Sequence, residues 1–261
     1  MDRLITCFSR PSQIGLYLKD KFYIPLAFLL AFFVFFTGIY AVRCFNTPYL
    51  INSSTNCVYA INSSKEVPNV SFDGNVITGN KFVCENEDVY LSFLSDSSTP
   101  RIGKLSMNFK ESEVEISNFL FSKTIKYSEI KSKDIFNLKD IKAGKMDSVV
   151  HFNTFITELT NLYNPVYATR IFIFDTIYYL FVVGIALLIS LVFSIMVNPP
   201  IGMNLRIKMN MYDTLIIYPF LLFSVFFNIS YFMYIGILGV AIFTFFTFTH
   251  IVRIRIKNDV K

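Results

Sequence analysis

The chain has no tryptophan among its 261 residues, only two histidines, four cysteines, and a charged fraction of 16%. Soluble domains carry about 25% charged residues, so that shortage alone argues against an ordinary soluble protein. Without tryptophan, any aromatic belt at a membrane surface falls to the 15 tyrosines. His151 and His250, with no Cys-x-x-Cys to join them, leave no ligand set for a protein zinc site. No Walker A loop, no G-x-G-x-x-G and no G-x-S-x-G occurs, so nucleotide cradles and the serine-hydrolase elbow lose their sequence warrant. The acidic residues show no paired spacing that singles out an acid/base couple. No enzyme activity, cofactor or metal is therefore expected.

What is present is apolar. Hydrophobic residues make up 53% of the chain and the mean hydropathy is +0.48. Phe22–Val42 runs 21 residues without a charge. At 1.5 Å per residue it reaches roughly 31 Å, the thickness of a bilayer's hydrocarbon core. It is too long for the apolar core of a removable signal peptide. Arg43 stands just before Cys44, where a lipoprotein cleavage site needs a small residue. Three further runs follow, Ile171–Val197, Met211–Phe227 and Tyr231–Thr249, the last two joined by a hairpin at residues 228–230. The sequence thus predicts four transmembrane helices, at 21–43, 170–197, 211–227 and 231–249. In the second, Ala186, Ser190 and Ser194 recur every four residues, a helix face on which small side chains allow close packing in lipid. Tyr218-Pro219 predicts a kink in the third.

Between the first two runs lies a hydrophilic stretch, 44–169, long enough to fold on its own. Candidate strands run over 69–72, 76–78, 81–84, 89–94, 104–109, 114–121 and 124–127. Asp73-Gly74 supplies a hairpin turn between the first two. Val89, Leu91 and Phe93 alternate with polar neighbours, as in a half-buried strand. Val149, Phe152, Ile156, Leu159 and Tyr163 form one helical stripe, a stalk over 147–164 that ends or kinks at Asn164-Pro165. The fold class expected is therefore a membrane α-helical protein carrying one extracytoplasmic α+β domain with a mostly antiparallel sheet.

Charge orients the chain. Residues 44–169 hold 12 Lys/Arg against 14 Asp/Glu, whereas the rest hold 12 against 5. The basic excess sits in segment 1–20, read as an amphipathic helix on the membrane surface, in the loop 198–210, and in the tail 250–261. With four spans these three fall on one side, which the positive-inside rule makes cytoplasmic; both termini are then inside and 44–169 is outside. Basic residues beside membrane segments point to a lipid bilayer, not to nucleic acid.

Four features carry further expectations. Cys57 and Cys84 are candidates for a disulfide, with buried thiols the alternative. Asn52, Asn62 and Asn69 begin Asn-x-Ser sequons, which biased Asn and Ser usage also produces. Asp175, one turn inside the second span, is a candidate intramembrane polar site, although water or Arg170 can solvate it there. Asp213, at the inner edge of the third span, reads as a solvated cap.

The order of parts, with "VPNVSFDGNVI" (67–77), "YLSFLSDSS" (90–98), "ISNFLFSKTIKYSEI" (116–130) and "NLRIKMNMYDTLIIYPF" (204–220), resembles an uncharacterised bacterial membrane family. Some of its members are labelled maltodextrin-utilisation proteins, and it is thought to be distantly related to the Yip family of membrane-trafficking proteins. The likeness is one of layout over most of the chain. It implies no enzyme activity and supplies no catalytic residues. The function expected is a non-enzymatic accessory or assembly component of a larger membrane complex, such as a transporter, with other membrane subunits as partners. The alternatives are an extracytoplasmic ligand sensor and an oligomeric transporter or channel subunit.

Overall fold

The computed structural model describes residue 17 and residues 20–95, 101–119, 121–197 and 201–259. The amphipathic helix expected over 1–20 lies almost wholly outside these. The chain divides into a helical unit, Met1–Arg43 with Phe172–Lys261, and a sheet unit, Cys44–Ile171.

In the sheet unit, helix α2 (Ser53–Ser63) is followed by strands β1 (Val70–Phe72), β2 (Ile77–Gly79), β3 (Phe82–Glu85), β4 (Val89–Phe93), β5 (Leu105–Phe109), β6 (Glu113–Asn118) and β7 (Phe121–Lys126). A short strand β8 (Phe136–Asn137) and helix α3 (Leu138–Lys142) lead into helix α4, Met146–Val197. The order in the larger sheet is β3-β4-β5-β6-β7, and in the smaller one β2-β1-β8. All neighbours are antiparallel except β4 and β5, which run parallel with Phe93 opposite Phe109. The pairing is thus mostly antiparallel, as expected, with one parallel pair that makes the larger sheet mixed.

Local chemistry accounts for the strand ends. Asp73 closes the β1–β2 turn by accepting from the backbone N–H of Asn75 at 2.9 Å and of Val76 at 2.8 Å. These bonds favour the carboxylate and hold the Asp73 pKa below its ordinary value. Gly79 leaves β2 at φ +134°, and a Cβ there would sit 2.1 Å from the Asn69 carbonyl oxygen. Only glycine fits both the conformation and the approach.

Strand β4 is not half-buried as its alternation predicts. Val89, Leu91 and Phe93 face an apolar core, but Tyr90 and Ser92 on the other face are also buried. On that second face Ser92 donates to the Asn108 side chain of β5 at 3.1 Å. A central strand covered on both faces loses the exposure contrast while keeping the chemical one.

The apolar stripe of α4 packs into the core of the sheet unit. Phe152, Phe155, Ile156, Leu159 and Tyr163 all lie buried in the cluster that holds the apolar faces of both sheets. Phe155 is its hub, with ring centroids 4.8 Å from Phe72, 5.2 Å from Phe136 and 5.9 Å from Tyr127. Asn164 does not end the helix. Its amide donates to the Thr47 carbonyl and its oxygen accepts from the Tyr49 N–H, both at 3.1 Å, so it pins the segment that enters the domain. The helix runs on through Pro165. Thr169 donates to the Pro165 carbonyl at 2.9 Å in the turn beyond.

In the helical unit, α1 (Tyr23–Asn46) and the second half of α4 are joined by α5 (Met203–Thr214), α6 (Ile217–Phe227) and α7 (Tyr231–Asp259). Four stretches are long and apolar enough to cross a membrane: α1, α4, the pair α5–α6, and α7 to Ile251. Where a loop was expected over 198–210, the chain is helical from Met203; residues 198–200 lie outside the described ones. The Pro219 break falls earlier than the proline itself. Leu215 and Ile216 form a tight turn, and Pro219 is the third residue of α6, where a missing N–H costs no helical bond. Asn228 ends α6 in the left-handed region at φ 56°. Gly236 then lets α7 close on α6, since a Cβ there would stand 2.9 Å from the Phe220 Cβ.

Candidate functional site

The α5–α6 pair is the least apolar of the four stretches, yet its most apolar segment is buried to the largest share. Every residue from Met209 to Tyr218 is buried. A helix surrounded on all sides by its own unit can carry polar groups that a lipid-facing one cannot. Asn210, Asp213 and Thr214 use that freedom. They stand three and four residues apart, hence on one face.

Two neighbouring helices bring hydroxyls to this face. From α4, Ser194 accepts from the Asn210 amide nitrogen at 3.2 Å and donates to its own Leu191 carbonyl at 2.7 Å. From α7, Thr247 donates to Asp213 Oδ1 at 2.9 Å, and the Thr244 hydroxyl is also within hydrogen-bonding reach of that carboxyl group. Ser190 and Thr244 share a hydrogen bond of 2.7 Å, which links α4 to α7. Thr214 turns its hydroxyl back to the Asn210 carbonyl at 2.7 Å.

The Asp213 carboxyl is fully buried. The expectation of a solvated cap is thus overturned, because α5 begins eight residues before the apolar run and carries Asp213 inward. An ionisable group buried in a membrane helix costs about 2.5–3.5 kcal/mol at mid-depth unless it is compensated. Compensation here is incomplete: Asp213 Oδ2 and Asn210 Oδ1 are both buried without a hydrogen-bond partner.

Sequence reading missed Asn210, Thr244 and Thr247. The usable signal was spacing. Polar residues at three- and four-residue intervals on otherwise apolar helices share a face that lipid would penalise.

The residues singled out from sequence fall in three places. Ala186, Ser190 and Ser194 are all buried along α4, and Ser190 and Ser194 contribute hydroxyls to the polar centre as well as small size. Asp175 is partly buried on the same helix and accepts a hydrogen bond from the Tyr40 hydroxyl of α1. Tyr40 and Phe36 both pack edge-on against Tyr179, with centroids 5.3 Å and 4.9 Å away. Asp175 therefore sits in an aromatic contact between α1 and α4, apart from Asp213.

Cys57 on α2 and Cys84 on β3 share the sheet-unit core as free, buried thiols. Burial pushes the Cys57 pKa far up, and a charge on Cys84 would push it further. Burial likewise pushes Cys84 up to about 12, against the opposing pull of the Lys142 ammonium. The sequon residues Asn52, Asn62 and Asn69 are all exposed. Among the described residues, no group of three or more His, Cys, Asp or Glu side chains could hold a metal ion.

Comparison with protein-family models, with curated proteins and with solved structures finds no match to this chain.

Proposed function

We propose that this chain is a non-enzymatic, multi-pass membrane component that serves as an accessory or assembly subunit of a larger membrane complex. In this reading its four apolar helices cross the bilayer, both termini are cytoplasmic, and the sheet unit lies outside. The layout it shares with the maltodextrin-labelled membrane family belongs to the same reading.

The observation that supports docking best is strand β7. It is the terminal strand of the larger sheet, it is six residues long, and Ser122, Thr124 and Lys126 on it are exposed. A terminal strand offers a row of backbone N–H and C=O groups to an added strand. An extended segment of a partner subunit would pair there by β-augmentation, with main-chain bonds giving affinity. The test places a photo-crosslinking residue at 122 or 124 in the full-length protein in its native membrane. One discrete adduct at both positions, lost on Thr124→Pro and absent with the crosslinker at exposed Tyr59, supports the reading. A protein that migrates alone with no adduct refutes it.

A second reading, a sensor signalling inward, is favoured by α4. A single helix of 52 residues contributes both the Phe155 hub of the sheet unit and the Ser190 and Ser194 hydroxyls of the helical unit. Thermal-shift screening of the full-length protein against sugars and peptides distinguishes the readings. A specific, saturating hit supports sensing, and none across a broad panel removes it.

A further inference from the structure

The polar centre of the helical unit holds two buried acceptor atoms without a hydrogen-bond partner, the Oδ2 of Asp213 and the amide Oδ1 of Asn210. The groups around them are mostly committed: the Asn210 amide to Ser194, the Thr247 hydroxyl to Asp213 Oδ1, the Ser194 hydroxyl to Leu191 and the Thr214 hydroxyl to Asn210. Ser190 and Thr244 share one bond between two hydroxyls. Two acceptors cannot satisfy each other. Among the described residues no Lys or Arg side chain reaches Asp213.

We propose that Asn210 and Asp213, with the Thr244 and Thr247 hydroxyl oxygens beside them, form a binding site for a dehydrated monovalent alkali cation. The chemistry selects this class. All the donors are hard oxygens, which suit alkali and alkaline-earth ions and not soft metals. Exactly one carboxylate is present, so a single positive charge leaves the buried site neutral, whereas a divalent ion would leave a net charge in an apolar interior. A hydroxyl oxygen can accept or ligate while it donates. The helix breaks beside the site, at the Leu215–Ile216 turn between α5 and α6. Broken helices with unwound carbonyls are how membrane proteins commonly build ion sites.

The test uses the full-length protein purified in detergent and depleted of alkali ions. Its thermal midpoint is titrated with NaCl or with KCl against choline chloride at constant ionic strength. A ligand that binds only the folded state raises the midpoint in a saturable way. The expected result is a saturating rise of several degrees for at least one alkali ion and none for choline. Thr247→Ser keeps the oxygen and should keep the response; Thr247→Val should shift the half-saturating concentration upward by tenfold or more. Asp213→Asn removes the charge and should abolish the response; if it does not fold, the Thr247 pair still decides. Equal midpoints in all three salts overturn the proposal, as does a response that survives in both Asp213→Asn and Thr247→Val. A midpoint that rises only on acidification, indifferent to cation, also overturns it and makes Asp213 a neutral, protonated acid. A larger effect from Ca²⁺ than from Na⁺ or K⁺ overturns the monovalent assignment.

Discussion

Removing the Phe155 side chain tests how the sheet unit is held together. Phe155 is buried in the middle of the stripe on α4, ringed by Phe72, Phe136 and Tyr127, with Phe109 at 6.3 Å. Phe155→Ala leaves a cavity that five elements would have to collapse into, and such changes cost about 3–5 kcal/mol. Against a domain stability of roughly 5–15 kcal/mol, that is a large fraction. The buried thiols of Cys57 and Cys84 supply the assay, since they lie in the same core and react only when it opens. The full-length protein is reduced, desalted and exposed to maleimide, and labelling at each cysteine is followed by mass spectrometry. At about 1.4 kcal/mol per factor of ten, Cys84 should label roughly two to three and a half powers of ten faster in Phe155→Ala. Phe155→Leu, which keeps most of the volume, should accelerate it only about tenfold. Val150→Ala, exposed on the same helix, should leave the rate within a factor of three. If Phe155→Ala labels no faster than Val150→Ala, α4 is not part of this core and the account of the domain fails.

The same thiols make the domain sensitive to alkali. Folded Cys84 holds its proton up to about 12, whereas an unfolded thiol loses it near the ordinary cysteine value of about 8.5. A raised folded value gives stability that is fully present below the unfolded pKa and is lost as pH rises above it. Urea midpoints should therefore fall from pH 8.5 upward, by up to about 1.4 kcal/mol per pH unit for each thiol, and the double variant Cys57→Ala/Cys84→Ala should flatten the slope. Gly79→Ala should cost about 2–3 kcal/mol, because it adds a clash with the Asn69 carbonyl to an unfavourable φ; a change under 0.5 kcal/mol in the same titration refutes that. Asn164→Ala removes the hydrogen bonds to the Thr47 carbonyl and from the Tyr49 N–H, at about 1–3 kcal/mol, and limited proteolysis should cut faster near residue 48. Gly236→Val should separate α6 from α7 and lower the detergent melting midpoint by several degrees, whereas Gly184→Ala, which meets nothing within 4 Å, should not.

Periodicity and composition were enough to place the apolar stretches, the strands from Val70 to Phe109 and the Asp73-Gly74 turn, but ran the strand expected over 114–121 through the turn at Phe119 that separates β6 from β7. Each of these is written in neighbouring residues: an uncharged run, a two-residue alternation, a side chain bonding its own backbone. Helix α2 escaped because its 11 residues are rich in Ser and Asn and its apolar face, Cys57, Ala60 and Ile61, is too short to stand out. The parallel pairing of β4 with β5 and the burial of both faces of β4 are decided by what crosses over them, which no local pattern records. The same reason separates the two aspartates. Asp175 and Asp213 are both lone acids, and position along the apolar runs put Asp175 inside its span and Asp213 at the edge of its own. Only the tertiary structure sets Asp175 beside the Tyr40 hydroxyl and buries Asp213 beside the Thr244 and Thr247 hydroxyls of α7. Burial is a property of the helices around a residue, so a chain can spell out which segments avoid water while leaving to their packing which of its charges is trapped.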